Sequence, residues 1–260
     1  MNGSPALSLF GLSGRVALVT GGNGGIGLAM ATGLAKMGAR IVIAGRSEEK
    51  AAAALAKLRA FTPSPRFQAA DMANADACAA LVDGVRQREG RIDILINNAG
   101  TTARKRPEDL SLEEWKAVID INLTSAFVCS KAAFPAMKAN GGGKIINIGS
   151  MFSLFGAPFA AAYGASKGGL MQLTRSLATA WAPDNIQVNA VLPGWVETEM
   201  GSAAQMQVQG LRERVMARTP AGRWGRGEDY EGIAAFLAGP ASDFITGTAI
   251  AVDGGFSISG

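Results

Sequence analysis

Short apolar runs alternate with longer, alanine-rich stretches along nearly the whole chain. The runs RVALVT (15–20), RIVIA (40–44), RFQAA (66–70), IDILI (92–96), KIINI (144–148), IQVNAV (186–191) and TAIAV (248–252) predict seven strands. Segments 26–37, 48–59, 75–89, 112–140 and 163–181 predict helices between them. The strands are apolar at successive positions rather than at every second one. Such strands are covered on both faces, as in a parallel sheet. Strand–helix alternation gives right-handed βαβ units. The expected fold is therefore α/β, a single doubly wound Rossmann domain over residues 1–260, with a seven-stranded parallel sheet and helices on both faces. A sheet of this kind binds its ligand outside the carboxyl ends of the strands, so the chemistry is expected just after each strand.

Composition narrows the chemistry. Hydrophobic residues make up 48% of the 260 and charged residues 18%, as in a well-packed soluble globule. The chain has no histidine, which excludes Ser-His-Asp and Cys-His machinery and histidine-based zinc sites. A general acid or base must then be Tyr, Lys, Asp, Glu or Cys. Cys78 and Cys129 form no CxxC pair and read as buried thiols of a reducing, cytoplasmic compartment, with no metal site. The net charge is +4, but the charges are scattered and make no basic stripe, so nucleic acid is not an expected partner. Residues 1–14 carry no side-chain charge and lack the basic start of a signal peptide. The uncharged run between Lys144 and Lys167 has the length of a membrane span, yet its Asn147, Gly149, Ser150, Gly156 and Pro158 predict a buried strand followed by a loop.

After the first strand, Thr20-Gly21-Gly22-Asn23-Gly24-Gly25-Ile26-Gly27 runs straight into a helix. Glycines let the backbone approach a pyrophosphate, and a helix N-terminus offers free N–H groups and the positive end of its dipole. This makes Gly21, Asn23, Gly25, Ile26 and Gly27 candidate cofactor contacts. An NAD site places Asp or Glu at the end of the second strand to hold the ribose 2′-OH. Here the sequence is Gly45-Arg46-Ser47. Arg46 is either a solvated surface side chain or a clamp for a 2′-phosphate, which favours NADP while leaving NAD open. Asp71-Met72 follows the third strand, where Asp71 would accept from an adenine amino group or cap the next helix. Asn98, Ala99 and Gly100 follow the fourth, where small residues let the chain lie against a cofactor. Ser150 ends the fifth strand, Tyr163 stands thirteen residues on, and Lys167 four further. Positions i and i+4 share a helix face, so Tyr163 and Lys167 point at one spot. A neighbouring ammonium favours phenolate. Lowering a tyrosine pKa from near 10 by roughly three units takes about 4 kcal/mol of differential stabilisation.

With these segments in order, the chain resembles the short-chain dehydrogenase/reductase family from about residue 14 to residue 256. TGGNGGIG, NNAG, DINLTSAF, the serine thirteen before YGASK, VNAVLPGWVET and ITGTAIAVDGG carry the resemblance. It implies a catalytic tetrad of Asn122, Ser150, Tyr163 and Lys167. Tyr163 would be the acid/base, and Ser150 would hydrogen-bond the substrate oxygen. Lys167 would bind the nicotinamide ribose and lower the Tyr163 pKa, while Asn122 would hold a water that relays protons to it. As a mediocre helix former, asparagine at 122 also fits a local bend in the long helix. Pro193, Gly194, Val196 and Thr198 match the family's PGxxxT contacts to the cofactor carboxamide. The resemblance further implies a homotetramer and places substrate selection at residues 199–223, a mobile, partly helical lid.

The expected reaction is NAD(P)-dependent interconversion of a secondary alcohol and a ketone in a small molecule. NNAGTTARKR, KIINIGSMFSLFG and TPAGRWG resemble 2-deoxy-gluconate and gluconate dehydrogenases, which points to a sugar acid or polyol. The layout equally resembles 3-oxoacyl-carrier-protein reductases, and both substrate classes are anionic. Arg104-Lys105-Arg106 beyond NNAG is either a solvated face or an attractor for such an anion. Phe152, Phe155, Phe159 and Trp195 are candidates for an apolar pocket wall or for core. A remote alternative, a non-catalytic NADP-binding sensor on the same fold, sits poorly with an intact tetrad.

Overall fold

The computed structural model describes residues 9–259, so most of the uncharged N-terminal segment lies outside the described residues. The strands are β1 (Val16–Thr20), β2 (Arg40–Gly45), β3 (Arg66–Ala69), β4 (Ile94–Asn97), β5 (Gly143–Ile148), β6 (Ile186–Pro193) and β7 (Ala249–Val252). They form one parallel sheet in the order β3-β2-β1-β4-β5-β6-β7. The order reverses between β1 and β4, which opens the crevice where such sheets bind ligands.

Alternate residues of each strand face opposite sides. Ala17, Val19, Ile41, Ile43, Ile94 and Ile96 pack into one apolar layer. That layer is covered by α1 (Gly25–Lys36), α2 (Glu48–Leu58) and α8 (Glu231–Ala238). Val16, Leu18, Val42, Leu95 and Ile145 pack into the other. It is covered by α3 (Ala75–Glu89), α4 (Leu112–Ala139) and α5 (Ala161–Trp181). Residues 199–223 carry α6 (Glu199–Gln207) and α7 (Leu211–Arg218), so the segment is partly helical, as its lack of strand period suggested. Helix α8, of eight residues, lies outside the predicted set. It crosses α1 at Gly33, where a Cβ would lie 2.8 Å from the Glu231 Cα, so the two backbones touch.

Local chemistry sets the helix starts. Ser47 caps α2, Asn74 caps α3, and Ser111 with Glu114 forms a capping box on α4. Helix α4 is not continuous. Asp120–Thr124 widen into a π-helical turn, which is the bend expected around Asn122. By length and composition alone α4 could cross a membrane, with a mean hydropathy of 1.3 over its best window. In this fold it packs on β4, β5 and α3. The uncharged run after Lys144 is the buried strand and loop that its polar groups predicted.

Candidate active site

The glycine-rich turn joins β1 to α1 at the crevice. Gly27 is buried against the loop after β4: a Cβ there would sit inside contact distance of the Asn98 amide and 2.6 Å from the Gly21 carbonyl oxygen. The Asn98 side chain is pinned by donating to the carbonyls of Thr20 and Gly21 at 3.0 and 3.1 Å. The Thr20 hydroxyl accepts from the N–H groups of Asn98 and Ala99. Thr20 thus fixes the loop that the sequence marked, although its own role was not anticipated. The start of α1 differs from those of α2, α3 and α4. No side chain caps it, and its first turn holds no acidic residue. Its N–H groups and dipole are free for an anion, which fits the pyrophosphate of a dinucleotide.

Around this lip the predicted contacts converge. A Cβ on Gly25 would lie 3.3 Å from Thr198 Cγ2, so the PGWVET segment faces the glycine turn across the crevice. Thr198 itself caps α6 through the Gly201 N–H. Asn23 lies over the end of β2, its amide 2.9 Å from where a Gly45 Cβ would be. Arg46 follows, exposed, and forms no ion pair among the described residues. Ser47 accepts from the Lys50 N–H as the cap of α2. Ile26 is half-buried and packs on the apolar layer around α1. Asp71 accepts from the Ala73 N–H and does not cap α3, a role that Asn74 fills. That removes the capping alternative for Asp71, which remains exposed at the end of β3 beside buried Met72. Pro193 ends β6, and Gly194 donates to the Val252 carbonyl, so this strand end abuts β7. Val196 is buried and bridges to Gly225.

Past the end of β5 the reactive groups gather. Ser150 opens a short turn, Met151–Ser153, and its oxygen accepts from the Phe152 N–H at 3.2 Å. Its hydroxyl faces the Tyr163 phenol closely enough to favour the phenolate. Lys167 is buried, donates to the Ile148 carbonyl at 2.6 Å, and lies 5.7 Å from the centre of the Tyr163 ring. A Cβ on Gly100 would lie 3.4 Å from Asn122 Oδ1 and 3.6 Å from Lys167 Nζ. Asn122, Gly100 and Lys167 therefore meet at the floor of the crevice. The Asn122 amide accepts from the Thr101 N–H at 2.8 Å, donates to the Thr101 carbonyl at 3.0 Å and donates to Ser166 Oγ at 2.9 Å. Ser166, Ser153 and the Ile148 carbonyl were not singled out from the sequence. Ser166 stands inside the YGASK motif, and Ser153, which donates to the Lys167 carbonyl, follows Ser150 by three.

The electrostatics depart from the expectation in one respect. Burial holds the Tyr163 phenol above its usual pKa, opposed by the Ser150 hydrogen bond and the positive charge of Arg104. Burial likewise lowers the Lys167 amine to about 8. The lysine points its ammonium at the Ile148 carbonyl, and the groups that oppose burial at the phenol are Ser150 and Arg104 instead. Among protein groups alone, a tyrosine lowered by its lysine is thus not found. The lowering would have to come from a bound, positively charged cofactor ring and reoriented contacts. Arg104, flagged only as one of three basic residues, is half-buried where its charge reaches this phenol. Burial lowers its pKa, and it donates to the Met200 carbonyl at 3.2 Å and to Gln207 at 3.3 Å, both on α6. Lys105 pairs with Glu114, and Arg106 with Glu108, so these two are the solvated face. A cavity of about 430 Å³, lined by Thr101, Arg104, Val118 and Gln207 among others, opens beside the cluster. The four aromatic residues pack together, and Phe155 and Trp195 also lie against the buried cluster of Met151, Leu192 and Phe256, as core residues do. Phe152 packs edge-on against Phe155, Phe159, Trp195 and the Tyr163 ring, with centroids 5.9–6.4 Å apart.

Comparisons with known proteins agree with this geometry. The family model described as enoyl-(acyl carrier protein) reductase matches residues 21–257. The chain is 39% identical over 251 residues to the 2-dehydro-3-deoxy-D-gluconate 5-dehydrogenase of Formosa agariphila, covering 96% of this chain and 95% of that protein. It is 40% identical to a tropinone reductase homolog of Arabidopsis thaliana, covering 96% and 94%. The crystal structure of a gluconate 5-dehydrogenase from Burkholderia cenocepacia, in complex with NADP and tartrate, superposes with a TM-score of 0.91 at 40% identity, covering 98% of this chain and all of that one.

Proposed function

Because the chain belongs to the short-chain dehydrogenase/reductase family, and so is an oxidoreductase acting on CH–OH groups, we propose that it interconverts a sugar acid and its keto form with NADP. The observation that carries this reading is the gathering of Ser150, Tyr163 and Lys167 past the end of β5, with Arg104 half-buried against α6 where its charge reaches the phenol. A hydroxyl pair there suits a carbonyl or alcohol oxygen, and a guanidinium beside it suits a carboxylate. The gluconate dehydrogenases among the relatives support the same substrate class.

When bound, the nicotinamide donates or accepts the hydride. Tyr163 holds the proton that goes to the substrate oxygen in reduction and comes from it in oxidation. Ser150 donates to that oxygen and steadies the charge that develops on it. Lys167, with its ammonium at the floor, is placed to hold ribose hydroxyls and to stabilise phenolate. The two Nδ2 donors of Asn122 are taken by Thr101 and Ser166, while Oδ1 accepts only from the Thr101 N–H and keeps a second lone pair. A proton-relaying water would be held at that free lone pair, on the Gly100 side that Lys167 also faces. Gly21, Asn23, Gly25, Ile26 and Gly27 line the pyrophosphate, and Asp71 and Met72 the adenine. Asn98, Ala99 and Gly100 flank the cofactor, and Pro193, Gly194, Val196 and Thr198 its carboxamide.

Arg46 and Ser47 are assigned to the 2′-phosphate. A charge-assisted hydrogen bond contributes about 1.5–3 kcal/mol. Arg46→Ala is expected to weaken NADPH binding roughly 10- to 100-fold, by the same energy, and to leave NADH binding unchanged. Nicotinamide fluorescence titration measures both, and equal loss for the two cofactors would remove Arg46 from the phosphate.

The substrate reading is tested by turnover on sugar acids, the matching uncharged polyols and 3-oxoacyl thioesters, with wild type and Arg104→Leu. Sugar acids should be preferred. Arg104→Leu should raise their KM at least tenfold, through loss of a charged hydrogen bond, while hardly affecting the polyols. Preference for 3-oxoacyl thioesters would replace the sugar-acid reading with the ketoreductase one. A homotetramer is supported by Leu112, Trp115 and Phe127, which are exposed along α4. A cytoplasmic location is supported by the free, buried thiols of Cys78 and Cys129.

A further inference from the structure

We propose that Ser166 is a positioning residue for this reaction, acting through Asn122. The inference rests on the dehydrogenase reading above. Ser166 lies on α5 between Tyr163 and Lys167 and is fully buried. Its Oγ accepts from Asn122 Nδ2 at 2.9 Å and donates to the Tyr163 carbonyl at 2.8 Å. Asn122 uses its other amide groups on the main chain of Thr101. One continuous chain of hydrogen bonds therefore joins the helix of the acid/base, the π-helical turn of α4 and the loop after β4.

Each link has a chemical requirement. The Asn122 amide has two N–H donors and one carbonyl. One donor goes to the Thr101 carbonyl, and the second has Ser166 as its partner. A hydroxyl is the smallest group that takes this donor and still gives a proton to the Tyr163 carbonyl. Alanine at 166 would leave a buried N–H unpartnered, which favours rotation of the amide and release of Thr101. Gly100, next to Thr101, is where Asn122 and Lys167 approach each other. Loosening the clamp therefore moves the floor under the lysine and the amide that would order the relaying water. π-Helical turns are rare and gather at functional sites, and this one is tied down by a single side chain from α5.

The test compares steady-state kinetics and pH profiles of wild type, Ser166→Ala, Ser166→Thr, Asn122→Ala and the Ser166→Ala/Asn122→Ala double variant, each with its thermal melt. Ser166→Ala is expected to lower kcat about 10- to 100-fold, the scale of a misplacement near 1 Å, with the cofactor KM within about twofold. Its alkaline pH break should move, and Ser166→Thr should recover most of the loss. The double variant should be no slower than Asn122→Ala alone, because both remove one clamp. A folded Ser166→Ala with wild-type kcat and pH profile would overturn the proposal, and so would multiplicative losses in the double variant. If Ser166→Ala does not fold, Ser166→Cys decides. Its weak S–H should cost kcat in a folded protein, and an unchanged kcat would overturn the proposal. Tyr163→Phe run alongside separates the two levels. Its inactivity with an unaffected Ser166→Ala overturns this inference alone, whereas retained turnover removes Tyr163 as the acid/base, the reading on which this inference rests.

Discussion

Tyr163→Phe is expected to lower kcat by about 10³-fold, within the usual range for removing a general acid or base, while leaving cofactor binding within about twofold. The substitution deletes one oxygen. The ring keeps its edge-on contacts with Phe152, so the aromatic cluster stays in place. Ser150 remains anchored through the Phe152 N–H. No other described residue can take over the proton. The chain has no histidine, and Lys167 is directed at the Ile148 carbonyl. The pH profile of kcat/KM in the wild type should carry the matching signature. Burial lowers the Lys167 amine to about 8. Below that pH it is an ammonium and supports phenolate; above it the charge is lost, and activity should fall. The sign for stability is the reverse. A buried amine with a depressed pKa binds fewer protons folded than unfolded between about pH 8 and its ordinary value, so raising the pH through that window stabilises the fold. A melt that rises while the rate falls would distinguish loss of the lysine charge from simple alkaline unfolding. A Tyr163→Phe variant with more than a tenth of wild-type kcat would remove the tyrosine as acid/base.

The sheet and its order of chemistry were legible because both follow from local rules. Strands apolar at every position announce two covered faces, and segments such as VALVT and ILIN prove buried throughout. Helix starts at Ser47, Asn74 and Ser111 show in the sequence as capping residues. Helix α8 was missed although EGIAAFLA is apolar enough. It is short, follows an irregular segment and is set by its crossing of α1 at Gly33, a tertiary contact. In the site, residue identities were legible and partners were not. The spacing of Tyr163 and Lys167 places both on one helix face, but it does not show that the lysine's nearest acceptor is a strand carbonyl. Nor does it show that burial raises the phenol against Ser150 and Arg104. Asn122 was readable as a bend and as a family residue. That its two amide donors are taken by Thr101 and Ser166 depends on three elements meeting across 65 residues of chain, from Thr101 to Ser166. Arg104 could not be told from Lys105 and Arg106 by sequence. Only the fold half-buries it against α6, where its charge reaches the phenol, while its neighbours find carboxylates.

Gly27→Ala is expected to be the most damaging single-methyl change in the chain's glycine turn, and it separates fold from ligand in that motif. The new Cβ would press on the Asn98 amide and on the Gly21 carbonyl oxygen 2.6 Å away. Neither can yield cheaply. The carbonyl is backbone, and the amide is held by hydrogen bonds to Thr20 and Gly21. Overpacking of this kind costs about 1–3 kcal/mol or more. At this chain length that corresponds to a Tm lower by roughly 2–6 °C. Because Asn98 and Ala99 would have to move, cofactor affinity should fall with it, by more than about tenfold for a cost above 1.4 kcal/mol. Gly24→Ala is the internal control. A Cβ at Gly24 meets nothing within 4 Å, and its extended backbone, with φ at −175°, suits any residue. That variant should melt within about 2 °C of wild type, since a surface methyl changes stability by only some tenths of a kcal/mol. It stands at the uncapped start of α1, however, so it should still weaken dinucleotide binding if the pyrophosphate lies there. Calorimetric melts and nicotinamide titration on the two variants decide the matter. Normal melting with normal binding in Gly24→Ala would move the pyrophosphate away from the helix start. An unchanged melt in Gly27→Ala would mean that the loop after β4 yields where its hydrogen bonds say it cannot.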